Sequence, residues 1–313
     1  MRNMTQSGLG LIGILCIAAS GWAQQTPIYT ADNAPDAPAL EQMPLKESVT
    51  QYGITWTFEQ PARVGQFVNG DHYVVGPVTI AAIDPKPLWG DEVGEIIDER
   101  SVRESEYPGQ QARHGSVLNP SVTGAEGGYS RGGWDSRYAS HRYDPELFTH
   151  LPIEMAPGDA LVSSISRPNE QITKFSGQHV DPMKVAAVLT CVAEPLPADA
   201  FRPSYTDSAN SEIHLARNLQ RERLLAVPRL DGMPDSLEDY ADRFQKPWLD
   251  IVDFGFGAPV DNLPHYGQKV VELVGEASLL LLADYPAEQK ERLLINFVQV
   301  GIDFWGLARA GKQ

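Results

Sequence analysis

Residues 54–80, ITWTFEQPARVGQFVNGDHYVVGPVTI, contain the strongest β-pattern of this chain. Apolar and polar residues alternate at Ile54–Phe58, less strictly at Val64–Val68, and a third β-rich run covers Tyr73–Ile80. Alternation of this kind is typical of a half-buried strand. The turn Asn69-Gly70-Asp71 precedes the last run, and glycine there tolerates a positive φ, which favours a hairpin. The pattern predicts that an all-β domain begins here.

Strand patterns return after a long loop region dense in Gly, Ser, Tyr, Arg and His. Leu151–Met155 and Ala160–Ile165 flank a Pro-Gly-Asp turn, and Val185–Val192 is a continuous apolar run. We therefore predict one β-sandwich-like domain over residues 46–195. Residues 24–45 are rich in Gln, Pro, Ala and Asp and are predicted to be a flexible linker.

Beyond three prolines near residue 200, the apolar residues recur with a helical period. A short helix is predicted to start at Ser236 and to end before Pro247. Two longer helices are predicted, one over about Tyr266–Ala283 and one from Pro286 to about Ala310, packed antiparallel because their connection is tight. The predicted fold class is α+β, with a helical domain over residues 205–313.

The first long helix is apolar nearly all round at Leu279–Leu282. Such a helix is typically covered on more than one side. We expect further helices of a longer architecture, an oligomer or a partner to cover it. A compact small helical domain is the alternative.

The first 23 residues have the pattern of a secretory signal peptide. Arg2 supplies the positive charge, Gly8–Ser20 an apolar core too short to span a bilayer, and Gly21-Trp22-Ala23 the small residues before a cleavage site. We expect a secreted or periplasmic protein. Lipidation at Cys16 is the alternative, disfavoured by the bulky Leu15 before it. Cleavage leaves Cys191 alone, in a strand-like apolar segment that predicts an inert core thiol.

The chain is acidic, with 41 Asp and Glu against 25 Lys and Arg and a net charge of −16. This balance argues against nucleic acids and anionic membranes as partners, because both repel a negative surface. No later segment has the length and apolarity of a membrane span. The familiar nucleotide, metalloprotease, redox and serine-hydrolase motifs are absent from the sequence, so we predict neither a cofactor nor a metal.

Asn262, His265 and Tyr266 are the candidate catalytic residues. Their side chains suit β-elimination from an acidic polysaccharide, in which a proton is removed next to a uronic carboxylate. An amide can hydrogen-bond that carboxylate and stabilise the enolate-like state, while a phenol or imidazole moves the proton. The alternative is structural: Pro264 sets a turn, Asn262 caps the helix and Tyr266 is its first core residue.

A second set of residues suits the binding of a sugar chain. Aromatic faces stack on sugar rings, and arginine pairs with a carboxylate or sulfate. The candidate substrate-binding residues are Trp134, Arg137, Tyr138, Arg142 and Trp248. The alternative for the loop is that its aromatic residues fold back onto the β domain. A paired-carboxylate glycoside hydrolase using Asp250 and Asp253 is a further alternative.

Two segments resemble a known group of proteins. Tyr52–Ile80 resembles the opening β domain of large, mostly uncharacterised secreted bacterial proteins, and Leu293–Asp303 resembles the start of their helical domain. The layout is similar to polysaccharide-degrading proteins with an (α/α) toroid, whose lyase members typically work with Asn, His, Tyr and Arg. The resemblance implies working roles for Asn262, His265 and Tyr266 but matches no arginine. It also implies that this chain is the N-terminal portion, because a toroid has more helical hairpins.

Overall fold

The computed structural model describes residues 26–94, 111–120, 133–137, 143–168, 174–175, 179–180, 182–206, 212–249, 261 and 267–310. The fold belongs to the predicted α+β class, since 28% of the described residues are helical and 29% are in strands, so neither type dominates. Its centre is a curled, mixed β-sheet that forms a half-barrel.

The strands of the described residues are β1 Leu45–Gln51, β2 Ile54–Gln66, β3 His72–Val75, β4 Val78–Asp84, β5 Leu88–Trp89, β6 Ala112–Arg113, β7 Ser116–Leu118, β8 Ile153–Met155, β9 Ala160–Ser166, β10 Lys174–Phe175, β11 His179–Val180 and β12 Met183–Val192. The main sheet runs in the order β7-β9-β12-β3-β2-β4-β8, and β1 pairs with β2. Two short two-stranded sheets, β5 with β6 and β10 with β11, are separate from it.

The predicted hairpin is present. The two runs predicted as separate strands, Ile54–Phe58 and Val64–Val68, lie largely in one bent strand, β2. The first half of β2 pairs with β4 and the second half with β3. Residues 59–61 pair with none of the neighbouring described strands. Pro61 has no amide hydrogen for a ladder, so the strand bends where the ladder is interrupted. The turn is closed by the amide of Phe67, which donates to Asp71 O at 2.8 Å, with Gly70 at φ +90°.

Both faces of β12 are covered, which explains its continuous apolar sequence. Ala187, Leu189 and Cys191 join one core cluster with residues of the bent hairpin, whereas Ala186 and Val188 join a second cluster on the other face. That second cluster includes Trp134, Tyr205, Leu249, Leu307 and Ala310. The predicted sandwich is not confirmed, since within the described residues the second face packs against a helix and loops.

Three α-helices lie in the described part of the chain: α1 Glu238–Gln245, α2 Gly267–Leu282 and α3 Ala287–Arg309. Each agrees with a predicted helix to within a few residues at its ends. Their apolar stripes meet in one cluster that contains Phe244, Leu273, Ala277 and Leu293. The toroid expected from the resemblance is not confirmed by these helices.

A buried ion cluster joins the sheet to the last helix. The Arg202 guanidinium donates from Nε to Asp71 Oδ2 at 2.6 Å and from Nη2 to Asp303 Oδ2 at 2.6 Å. All three side chains are at most 1% exposed. Asn69 and Gln51 also donate to Asp71. Buried ions are tolerated only when they are this fully paired, so the packing is continuous across the predicted domain boundary.

The described part of the predicted linker lies against the helical region. Arg221 Nη1 donates to Tyr29 O at 3.0 Å, and Arg217 Nη2 donates to Pro35 O at 3.0 Å. Arg221 also forms a salt bridge with Glu291, and Arg217 forms one with Asp199. Tyr29 and Pro35 of this segment therefore have defined partners, although the segment contains little regular structure.

The helices keep apolar side chains on the surface. Val271 is 72%, Leu279 63% and Trp305 60% exposed. The further layer that we expect to cover the helices stays a prediction. None of the described helices has the length and apolar character needed to cross a membrane.

Candidate functional site

Several predicted site residues lie outside the described residues. They are Asn262, His265, Tyr266, Tyr138, Arg142, Asp250 and Asp253. Their roles stay predictions. The other three predicted residues, Trp134, Arg137 and Trp248, have defined surroundings.

Trp134 and Trp248 belong to the core, which corrects their predicted role as sugar platforms. Trp134 is 1% exposed and its indole donates to Val162 O at 3.0 Å. Trp248 is fully buried, donates to Arg243 O at 2.9 Å and stacks on Phe244 with the ring centroids 4.7 Å apart. A ring needs a solvent-facing surface to stack on a sugar, and neither indole has one here.

Arg137 is held by an internal carboxylate. Its Nε donates to Asp135 Oδ1 at 3.1 Å and its Nη2 to Asp135 Oδ2 at 2.8 Å, and Nη2 also donates to Arg167 O at 2.7 Å. The backbone amide of Arg137 donates to the same carboxylate at 2.8 Å. This bidentate pair organises the loop. The Arg137 guanidinium is therefore occupied by Asp135, whereas the sequence suggested that it would bind a carboxylate or sulfate of a sugar chain.

Arg113, on β6, is a second cation at the same place, and the sequence pattern did not identify it. Its Nη1 donates to Ala112 O at 2.8 Å and Ser136 Oγ at 3.0 Å, and reaches Asp135 Oδ1 at only 3.4 Å. The side chain is 12% exposed. Burial lowers the pKa of Arg113, Asp135 raises it and the positive charge of Arg137 lowers it further. Two guanidinium groups thus share one carboxylate.

Tyr143 completes this cluster. Its side chain is 1% exposed and packs with Ala112 and Phe148, yet its hydroxyl has no hydrogen-bond partner. Buried hydroxyl groups are nearly always paired, so an unpaired one calls for an explanation. Burial, then the charges of Asp135 and Asp144, raise the pKa of Tyr143, while Arg113 lowers it. The phenol therefore stays protonated and is a hydrogen-bond donor at neutral pH.

His114, next to Arg113, lies among the same charges. Burial lowers the pKa of its imidazole, Asp135 raises it, and both Arg137 and Arg113 lower it. Its Nδ1 accepts from the amide of Ser166 at 3.1 Å, which fixes the ring. We define the Arg113 cluster as Arg113, Asp135, Arg137 and Tyr143. It is a locally positive site in an acidic protein.

The two ends of the predicted catalytic segment are described. The amide of Asp261 donates to Lys184 O at 2.9 Å, and its carboxylate lies 3.9 Å from Lys246 Nζ. Gly267, directly after Tyr266, is the first residue of the 16-residue helix α2. A helix N-terminus carries a partial positive charge. Lys246 and the start of α2 are therefore the cationic features next to this segment.

An open groove of about 610 Å³ lies along the bend of β2. Glu59, Glu154 and Asp159 line it together with a single arginine, Arg63. Arg63 donates to Met43 O at 2.6 Å, so its hydrogen bonds are directed to the backbone. The excess of carboxylates makes this groove unsuitable for an acidic polysaccharide.

The described residues contain no group of three His, Cys, Asp or Glu side chains that could hold a metal ion. Comparisons of the chain with protein-family models, with curated proteins and with solved structures found no match.

Proposed function

We propose that the chain is a secreted polysaccharide-active protein, or the N-terminal part of one, that cleaves acidic glycans by β-elimination. Asn262 would bind the uronic carboxylate, and His265 and Tyr266 would move the proton. The observation that supports this proposal most is the position of Asp261 and Gly267, the two described neighbours of the segment. A substrate carboxylate bound between them would meet Lys246 and the positive end of α2.

Positive groups next to the bound substrate would promote the removal of the proton. The hydrogen next to a carboxylate is weakly acidic until the negative charge of that carboxylate is neutralised. Lys246 and the N-terminus of α2 would supply this neutralisation, while a phenol or imidazole would act as base and acid. The rest of the chain would then serve to fix the segment against the sheet.

The test is an assay with oligogalacturonate and other uronic oligosaccharides, in which absorbance of the unsaturated product is followed. Asn262→Ala and Tyr266→Phe are expected to lose at least about 100-fold in turnover, the scale of one acid–base group. Asn218→Ala, at an exposed site, is the matched control. Unchanged turnover in both variants would remove the proposed roles.

The second candidate function is that of a non-catalytic glycan-binding or cell-envelope protein. The observation that favours it is the Arg113 cluster, in which two arginines face one carboxylate. Retained glycan binding without any product would support this function over the first.

A further inference from the structure

We propose that Arg113 and Tyr143 form a binding subsite for an oxyanion, namely the carboxylate or sulfate group of an acidic ligand. The inference concerns binding alone and stands on local geometry and charge. Only in naming an acidic glycan as the bearer of that group does it rest on the proposed function.

The first argument is the charge balance. Asp135 gives both oxygens to Arg137, at 3.1 and 2.8 Å, and leaves Arg113 a single contact at 3.4 Å. Asp144, which directly follows Tyr143 in the sequence, accepts from the amide of Glu146 at 3.1 Å and forms no ion pair among the described residues. One positive charge is thus left with weak compensation at a largely buried site. Such a charge is costly, and a bound anion would relieve the cost.

The second argument is the set of unused donors. Within the described residues, the side-chain hydrogen bonds of Arg113 all come from Nη1, and no acceptor bonds Nε or Nη2. These two groups form one edge of the guanidinium, the fork that suits carboxylate or sulfate oxygens. The Tyr143 hydroxyl adds a third donor without a partner.

The third argument is that these donors lie in one region of the fold. Tyr143 packs in one buried cluster with Ala112, the residue directly before Arg113. The carboxylate of Asp135, 3.4 Å from Arg113 Nη1, raises the pKa of Tyr143, and the charge of Arg113 lowers it. An oxyanion at Arg113 would bring an acceptor towards a buried phenol that is otherwise unpaired, and would add the missing negative charge.

The test is isothermal titration calorimetry of the full chain with two probes, sodium sulfate and trigalacturonate, at constant ionic strength. Maltotriose is the uncharged reference. We expect Tyr143→Phe to weaken binding about tenfold, equivalent to about 1.4 kcal/mol, because it removes one hydrogen bond to a charged group. Arg113→Met should weaken it by at least about 30-fold. Arg229→Gln removes an exposed arginine, paired with Asp235, and should leave binding unchanged.

The inference is supported if Tyr143→Phe weakens the binding of either probe. The probe that binds more tightly then shows whether the site prefers a sulfate or a uronic carboxylate. If neither probe binds, or if both variants bind as the wild type does, the inference is overturned. Should Arg113→Met fail to fold, Tyr143→Phe decides, because it keeps the shape of the core. The lyase assay fails or succeeds separately, since sulfate binding requires no turnover.

Discussion

Arg202 and Asp303 are joined by two parallel hydrogen bonds, from Nη2 to Oδ2 at 2.6 Å and from Nη1 to Oδ1 at 3.0 Å, with both side chains at most 1% exposed. The third nitrogen, Nε, is held by Asp71. Two carboxylates therefore surround one guanidinium, and the cluster has an excess of negative charge when both acids are ionised. The stability of the fold should respond strongly to changes at this cluster.

Arg202→Met should lower the free energy of unfolding by about 3–5 kcal/mol, because it leaves two buried carboxylates without their cation. Urea-induced unfolding followed by circular dichroism measures the change. The matched control is Arg229→Gln, whose partner Asp235 is fully exposed. Exposed pairs contribute about 0–1 kcal/mol, so equal losses in the two variants would contradict the importance of the buried cluster.

The free energy of unfolding should depend on pH through the titration of Asp303. Burial raises the pKa of this carboxyl from its ordinary value to about 6, although Arg202 acts in the opposite direction. Between the unfolded value of about 4 and about 6, the folded chain binds the proton and the unfolded chain does not. The free energy of unfolding from this group therefore rises as the pH falls through that window, by at most about 1.4 kcal/mol per pH unit.

Asp303→Asn removes this titration, so the stability of the wild type relative to the variant should increase from pH 7 towards pH 4.5. Urea unfolding at several pH values measures the difference. A difference that stays constant or shrinks as the pH falls would show that the folded pKa is not raised. Asp199 acts in the opposite direction: burial raises its pKa, but the hydrogen bonds from Arg217 outweigh burial and hold the pKa below its usual value, so its stabilising contribution is lost only under more acidic conditions.

Two glycines of helix α3 should respond in opposite ways to alanine. A Cβ at Gly306 would overlap the side chain of Ser204, whereas a Cβ at Gly301 would meet nothing within 4 Å. Gly306→Ala should destabilise by about 1–3 kcal/mol through overpacking. Gly301→Ala should stabilise by about 0.5–1 kcal/mol, because glycine is a poor helix former. Thermal unfolding compares the two, and a loss at both sites would contradict the open surroundings of Gly301.

Two buried tyrosines should also differ when the hydroxyl is removed. The Tyr205 hydroxyl donates to Trp248 O at 2.8 Å, so Tyr205→Phe should cost about 1–3 kcal/mol by leaving that carbonyl unpaired. Tyr143→Phe removes a hydroxyl that has no partner and should leave the stability unchanged or raise it. Urea unfolding of the unliganded protein tests both, and a loss of more than about 1 kcal/mol for Tyr143→Phe would reveal a hidden partner.

Local patterns predicted the local elements. The turn at Gly70 and the three helices depend on backbone preferences and on spacing within one segment, and both can be recognised without knowing the rest of the fold. The continuous apolar sequence of β12 was also informative. It correctly indicated burial, but not whether a second sheet or a helix covers the outer face.

Site residues were harder to predict because their state depends on distant contacts. Trp134 is buried by its place against Val162, and Arg137 is neutralised by Asp135, two residues away but oriented by the loop. Arg113 has no distinctive sequence neighbours, and only the fold brings it to the same carboxylate. Residue type alone does not distinguish a free arginine from a paired one.

The parallel pairing of β3 with β12 has a consequence for how the chain assembles. Tyr73 lies beside Thr190, so the centre of the sheet joins segments more than 100 residues apart. The local hairpin can form early, but this pair must wait until the chain through β12 has been synthesised. Long-range pairing of this kind slows folding. During that interval the edge of β3 is unprotected, so the nascent chain is most exposed to mispairing before β12 arrives.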